Sequence, residues 1–333
     1  MQTVDEFDTI ESSHISAAAD RIGPHLGDTP LVVSSPLTER TGATVAIKPE
    51  HQQLTGSFKL RGALNRVLTL SPQERENGVV TASSGNHGIA VATAAELTTC
   101  QATVYLPAGA SLAKVAEIRR RGAAIVTVDS ADAAEAERVG RAAAEREGFA
   151  YISPYNDPMV VAGQGTIGKE ILDEAAGLDL RPIDAVVVAV GGGGLISGIG
   201  TWLANAAPEI EVIGASPAND AAMIASVAAG EIVDPETEPT YSDGTAGGIE
   251  AGALTFPLCR DLVDEWVTVP EEAIAGAVAA MIDDHHQLVE GAAGVAIAAA
   301  TSYAERHPGC TVVAVSCGAN VSSATLGRML ADV

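Results

Sequence analysis

The sequence predicts an α/β fold of open parallel sheets with helices on both faces, and three stretches predict it. Gly78-Val-Val-Thr-Ala82 runs into Ser-Ser-Gly-Asn-His-Gly, Ala185-Val-Val-Val-Ala-Val190 into four glycines, and Thr311-Val-Val-Ala-Val-Ser316 into Cys-Gly-Ala-Asn. Each is a short β-branched run, then a tight turn, then an apolar helical stretch. Strand, turn and helix in that order give parallel strands whose carboxyl ends carry the ligand-binding turns.

The remaining elements follow from the same patterns. Thr44 to Ile47, Ala102 to Leu106, Ala124 to Val128 and Glu211 to Ala215 read as further strands, separated by Ala-rich helical stretches such as Ala131 to Glu147 and Glu271 to Asp284. Strands with alternating polar residues are missing, which speaks against an all-β fold. A length of 333 residues suits two domains, or one large α/β domain carrying an insertion. The longest irregular piece, Asp234 to Gly252, reads either as an ordered loop or as a surface excursion.

Charge and cysteine usage narrow the function classes. Forty-three acidic residues against 19 basic ones give a net charge of −24, a field that repels nucleic acid and anionic membranes. The acids are spread along the chain and only four lysines remain, which predicts a halophilic protein whose carboxylates hold water in a salt-rich cell. No run of 18 apolar residues occurs and the first residues are polar, so neither a membrane span nor a signal peptide is expected, and the location expected is cytoplasmic. Cys100, Cys259, Cys310 and Cys317 form no CxxC pair and are expected to be reduced thiols, not a disulfide framework or a zinc ribbon.

Gly191-Gly192-Gly193-Gly194 stands between a buried strand and a helix, where backbone N–H groups converge on an anion without Cβ atoms in the way. A phosphate fits there. A tight turn that needs positive φ angles accounts for one or two of these glycines. The spacing is not that of a dinucleotide fingerprint, because Ile196 or Ser197 stands where the third glycine belongs. Gly163-Gln-Gly-Thr-Ile-Gly-Lys-Glu170 falls one residue short of a P-loop, since Glu170 would set a carboxylate beside the phosphates. A cofactor with a single phosphate remains. Lys59, between Phe58 and Leu60, supplies the amine that pyridoxal phosphate requires, and partial burial beside Phe58 would keep some of it deprotonated. Lys114 and Lys169 read as surface residues of helices, and Lys48 as a lysine buried beside the site.

Five motifs then appear in a familiar order: Thr55 to Ala63 (TGSFKLRGA), Ser83 to Gly88 (SSGNHG), Ala162 to Thr166 (AGQGT), the tetraglycine, and Ser316 to Asn320 (SCGAN). In these, from about Ser12 to Leu330, the chain resembles the serine/threonine dehydratase and serine racemase family of pyridoxal phosphate enzymes. YNDP at Tyr155, DGTAGGIE at Asp243 and VEGAAGVA at Val289 are most similar to the threonine dehydratase and hydroxyectoine-utilisation dehydratase subgroup. The resemblance implies a tryptophan-synthase-β-type fold (fold type II) with a large cofactor domain, residues 1–75 and 156–333, and a small domain, residues 76–155, that closes over the substrate. It implies no regulatory C-terminal domain, and a homodimer or homotetramer.

Carried over by motif, Lys59 would hold the cofactor as a Schiff base and shuttle the substrate Cα proton, with Phe58 against the ring. Asn86 would meet the ring hydroxyl, Gly191 to Gly194 with Leu195 the phosphate, and Ser83, Ser84, Gly85, Asn86 and His87 the substrate carboxylate. Glu290 matches a carboxylate near the ring, and Cys317 stands where relatives place a serine facing the ring nitrogen. A packing or capping role suits His87 better than acid–base work, and His285-His286 reads as a helix face, not a metal site. In the racemase-type cation segment, Ser216 and Ala222 replace the two acidic ligands, so no metal is assigned, although Asp220 keeps the position open. The implied reaction is elimination from threonine or serine to a 2-oxo acid and ammonia. Ser84 keeps racemisation of serine or aspartate open, since racemases carry serine there as a second proton donor. 3-Hydroxyaspartate remains a third substrate option, and a cofactor-binding protein without turnover an option of another class.

Overall fold

The β-branched runs pair into two separate sheets. The computed structural model describes residues 10–110, 112–178, 180 and 182–333. Its strands are β1 (Val32–Val33), β2 (Thr44–Lys48), β3 (Val79–Ala82), β4 (Ala102–Pro107), β5 (Ala124–Val128), β6 (Ala150–Tyr151), β7 (Ala185–Ala189), β8 (Glu211–Pro217), β9 (Glu265–Val269) and β10 (Thr311–Val315). One sheet has six strands in the order β1-β2-β10-β7-β8-β9, and the other has four in the order β5-β4-β3-β6. All neighbours are parallel except β1 and β2.

Every strand read from the sequence is present, and three others are added. β1 and β6 are two residues long, too short to show a period. β9, Glu-Trp-Val-Thr-Val, sits at the edge of its sheet, and its partly exposed residues break the apolar run that marks a central strand. By contrast β7 is buried along its whole length.

Two details of packing place the functional turns. Val315 of β10 pairs with Lys48 of β2, so the chains leaving those strands stay together: the amide of Phe58 donates to the carbonyl of Cys317 at 3.0 Å, and that of Ala319 to the carbonyl of Gly56 at 2.9 Å. The motif with lysine is thereby fixed to the motif with Cys317. The second detail is the helix Pro158–Gly177, which contains the segment that nearly spells a P-loop. Its glycines serve close helix packing: a Cβ at Gly163 would lie 2.6 Å from the carbonyl oxygen of Arg61, and one at Gly165 2.8 Å from that of Gly198. No phosphate loop is formed there.

Behind the lysine motif lies an ionic cluster in which Arg61, Lys48 and Glu50 are buried and Glu170 and Glu174 are partly exposed. Arg61, 1% exposed, makes a two-toothed contact with Glu50 (2.8 and 2.8 Å) and another with Glu170 (2.5 and 2.7 Å), and donates to the hydroxyls of Thr29 and Thr166 at 3.1 Å each. Lys48 adds contacts to Glu170 and Glu174 at 2.8 Å and to the carbonyl of Thr29 at 2.7 Å. Lys48 is thus buried as expected, but it serves this cluster. Burial alone would raise the Glu170 carboxyl, yet the attraction of Arg61 and Lys48 outweighs it and holds that carboxyl below its ordinary range. Its stabilising effect is therefore complete above the ordinary glutamate range and disappears as acid protonates it.

Removing Arg61 leaves the buried carboxylate of Glu50 without an ion-pair partner, so Arg61→Ala should lower the unfolding free energy by about 3–5 kcal/mol, and Arg61→Lys should recover little because an ammonium cannot make paired planar contacts. Urea unfolding measures this. A loss under about 1 kcal/mol, the scale of an exposed ion pair, would show that the cluster does not hold the fold.

Candidate active site

The carboxyl ends of β3, β7 and β10 open into one cavity of about 1390 Å³, lined among others by Phe58, Lys59, Ser83 to His87, Gly191 to Leu195, Glu290 and Cys317. Every site residue read from the sequence lies on its wall. The loop from Asp243 to Gly252 is ordered and forms another part of that wall.

Lys59 begins the helix Lys59–Thr69, and its ammonium donates to the carbonyl of Pro154 at 3.0 Å while lying 5.0 Å from the centre of the Phe58 ring. The residue keeps some exposure because it faces the cavity, yet dense protein surrounds its nitrogen. Burial lowers its pKa to about 8, only partly opposed by the charge of Glu290. At neutral pH that leaves roughly a tenth of the amine unprotonated, a few-hundred-fold more than for a solvated lysine. The thiol of Cys317 moves the other way: burial pushes it well above the ordinary cysteine range, and the nearby Glu290 adds to this, so it is a neutral group.

The tetraglycine leads into the helix Gly194–Ala206, whose first amides receive no side-chain cap. Each glycine has a packing reason that the sequence did not reveal. A Cβ at Gly191 would stand 2.7 Å from the carbonyl oxygen of Thr245, at Gly192 2.4 Å from the Tyr155 ring, and at Gly194 2.9 Å from the Tyr155 side chain. Gly193 has φ +82° and the thiol of Cys259 beneath it. The count of four is therefore explained by close neighbours, and the case for an anion rests on the uncapped helix end that faces the cavity. Tyr155 had no role in the sequence reading. Its ring packs the glycine loop, and its hydroxyl accepts from the amide of Glu250 at 2.9 Å.

Opposite, Gly85 starts the helix Asn86–Thr98, also without a side-chain cap. Asn86 donates to both oxygens of Glu290 at 2.8 and 3.1 Å and accepts from the side-chain amide of Asn320 at 2.8 Å, while the backbone amide of Asn320 donates to Glu290 at 3.0 Å. Burial raises the Glu290 carboxyl despite those donors. The hydroxyl of Ser83 accepts from the amide of Gly85 at 3.2 Å, and Ser84 faces the cavity. His87 is turned away from acid–base work: one ring nitrogen, Nε2, contacts the carbonyl of Ile152 at 2.9 Å, and burial, with the charge of Lys59, lowers its pKa to about 3. It stays neutral, as a packing role requires.

Three further groups of residues take positions as follows. Lys114, read as a surface residue, lines the cavity beside Ser83 to Asn86, because its helix ends against the same opening. Lys169 pairs with Asp173 at 2.5 Å on a helix face. In the segment where a cation site was considered, Ser216 donates to the carbonyl of Val190 at 2.9 Å and Asp220 accepts from the amide of Gly247 at 2.9 Å, so these side chains secure strand and loop.

The arrangement fits pyridoxal phosphate. An amine with lowered pKa, an uncapped helix end for one phosphate and a neutral thiol share one cavity, and the glycine loop carries no side chain that would fill it. Residues 22–318 match the family described as pyridoxal-phosphate dependent enzyme. An L-threonine ammonia-lyase of Thermotoga maritima is 40% identical over 302 residues, 91% of this chain and 73% of that protein. Among solved structures, the processed form of threonine deaminase isoform 2 from Solanum lycopersicum superposes with TM-score 0.90 at 33% identity, over 96% of this chain and 87% of that one. Maize serine racemase superposes with TM-score 0.89 at 31% identity, over 97% of each. With the family matched over most of its length and the amine, helix end and carboxylate turn gathered in one cavity, this chain belongs to the pyridoxal-phosphate dependent enzymes.

Proposed function

We propose that the protein is an ammonia-lyase that converts L-threonine or L-serine to a 2-oxo acid and ammonia. The observation that carries this is the amine of Lys59, poised near neutrality between the uncapped end of Gly194–Ala206 and the Ser83 to His87 turn. The similarity to a threonine ammonia-lyase over 91% of the chain supports it.

Lys59 would carry the cofactor, with the amides from Gly191 to Leu195 on its phosphate, Phe58 against its ring and Cys317 at the ring nitrogen. Bound there, the cofactor draws electrons from the substrate Cα. The Ser83 to Asn86 turn orients the substrate carboxylate at a helix N-terminus. The free amine of Lys59 would take the Cα proton as a base and return a proton to the leaving 3-hydroxyl. Water departs, and the resulting enamine takes up water and releases ammonia, so the net change is loss of ammonia alone. A neutral thiol at the ring nitrogen offers no counter-charge for a protonated ring, which moderates the electron withdrawal and suits elimination.

Residues 76–155, which hold the whole four-stranded sheet, act in this reading as the small domain that closes over the substrate. Ser84, facing the same cavity, favours a second reading, racemisation, in which its hydroxyl supplies the other proton. The surface acids are read as an adaptation to high salt. Activity equal at low and multimolar salt would remove that idea.

Lys59→Ala should abolish 2-oxo acid formation while the protein stays folded; full activity in the variant ends the proposal. Attachment of pyridoxal phosphate to the apo-protein should speed up as pH rises through about 8, because only the unprotonated amine adds to the aldehyde. A midpoint near 10.5, the value of a solvated lysine, would show that burial does not tune this group. Chiral chromatography separates the two reactions: Ser84→Ala should leave elimination of L-serine and remove any D-serine formed, and D-serine surviving in that variant would exclude Ser84 as the second donor.

A further inference from the structure

The four lysines of this chain have different surroundings. Lys48 is committed to Glu170 and Glu174, Lys169 to Asp173, and Lys59 to the carbonyl of Pro154. Lys114 alone has no hydrogen bond or ion pair among the described residues, although it is half-buried in the cavity wall. It also lines a side cavity of about 50 Å³ that adjoins Asn86, Asp243 and Glu290. Its charge acts on Glu290 from a distance, but the oxygens of Glu290 are already met by Asn86 and Asn320. An ammonium held half out of water without a contact partner loses hydration that an anionic ligand would replace. The same part of the wall contains the uncapped helix end at Gly85, a second feature that favours an anion.

The rest of the cavity carries the opposite charge. Asp132, Glu231, Asp234 and Asp243 line it without an ion pair among the described residues, and no arginine lines it. Glu137 and Glu250 line it too, and both are held by Arg141 from behind.

We propose that Lys114 binds the α-carboxylate of the substrate, and that the cavity therefore accepts amino acids with one carboxylate and an uncharged side chain while refusing those with an acidic side chain. This rests on the reading of the site as an amino-acid lyase and narrows its substrate class. One carboxylate meets Lys114 and the amides of the Ser83 to Asn86 turn. A second carboxylate, as on 3-hydroxyaspartate, would find acids and uncharged groups but no further lysine or arginine among the described lining residues once Lys59 is engaged.

The test uses the holoenzyme with L-threonine, L-serine and L-threo-3-hydroxyaspartate, read both by 2-oxo acid and by titration of the bound cofactor's absorbance, which reports affinity without turnover. Lys114→Gln should raise KM and the titrated Kd for L-threonine at least about tenfold, the scale of a lost charge-assisted hydrogen bond, and Lys114→Arg should restore much of the loss. The wild-type kcat/KM for 3-hydroxyaspartate should be at least about a hundredfold below that for L-threonine, with the gap narrowing as salt screens the wall. Unchanged Kd in Lys114→Gln, or equal efficiency with 3-hydroxyaspartate, overturns the inference. Absence of 2-oxo acid from every amino acid would instead overturn the lyase, and the titration would still decide on Lys114.

Discussion

Everything at the site depends on the way Arg61 is satisfied. A guanidinium that is 1% exposed is tolerable only because Glu50 and Glu170 each face it with both oxygens and two threonine hydroxyls complete its donors. Those partners come from three parts of the chain: the segment near Thr29, the turn after β2 and the helix Pro158–Gly177. One side chain thereby fixes the start of the helix Lys59–Thr69 in depth and rotation. Two residues earlier, Lys59 is given no carboxylate contact at all. The same burial that Arg61 overcomes through its partners outweighs the pull of Glu290 on Lys59, and lowers its pKa to about 8. Fully paired and unpaired cations two residues apart give a rigid mount and a reactive amine.

The acidic character of the chain bears on how an anionic cofactor could be held. Among the described residues Lys59 and Lys114 are the lysines that line the cavity and no arginine does, while six carboxylates besides Glu290 lie on its wall. Holding a phosphate therefore falls to backbone amides, whose partial charges do not attract neighbouring acids into permanent ion pairs as a lysine would. Glycine is needed for that, and also for the close approach of Tyr155 and Thr245, so two independent constraints coincide on the same four positions.

Strands of the large parallel sheet were legible because burial on both faces leaves an uninterrupted β-branched run, as in β7 and β10. The turns that follow them were legible because few residues other than glycine, serine and asparagine can lead a strand directly into a helix. Lys59 was legible because lysine is so scarce. What was not legible is whatever depends on neighbours distant in sequence. Lys114 sits in a polar helical pattern whose outer and cavity-facing sides look alike. Lys48 showed its burial but not its two carboxylate partners, which lie more than a hundred residues away. Tyr155 was visible as the start of the YNDP motif, but its packing against Gly192 and Gly194 depends on residues about forty positions away.

The mouth of the cavity is held by a weaker device than its base, and the difference in magnitude is informative. Arg141, on the helix Ala133–Glu147, contacts Glu250 at 2.6 Å and Glu137 at 2.7 Å and lies 4.3 Å from the centre of the Tyr151 ring, while Asn156 donates to Glu250 at 2.9 Å. Arg141 and Glu250 are 35% and 25% exposed, so solvent screens their attraction and the contact is worth on the order of 1 kcal/mol or less. Burial raises the Glu250 carboxyl, opposed by Asn156 and Arg141, so the pair is held without surplus. A joint of that strength between the helix beside the four-stranded sheet and the loop over the glycines can part at ambient temperature, whereas the Arg61–Glu50 pair, 1% and 0% exposed, is shielded from solvent and holds. The mount of Lys59 thus rests on the pair of charges more completely removed from water, and the loop of the cavity wall on the more exposed one.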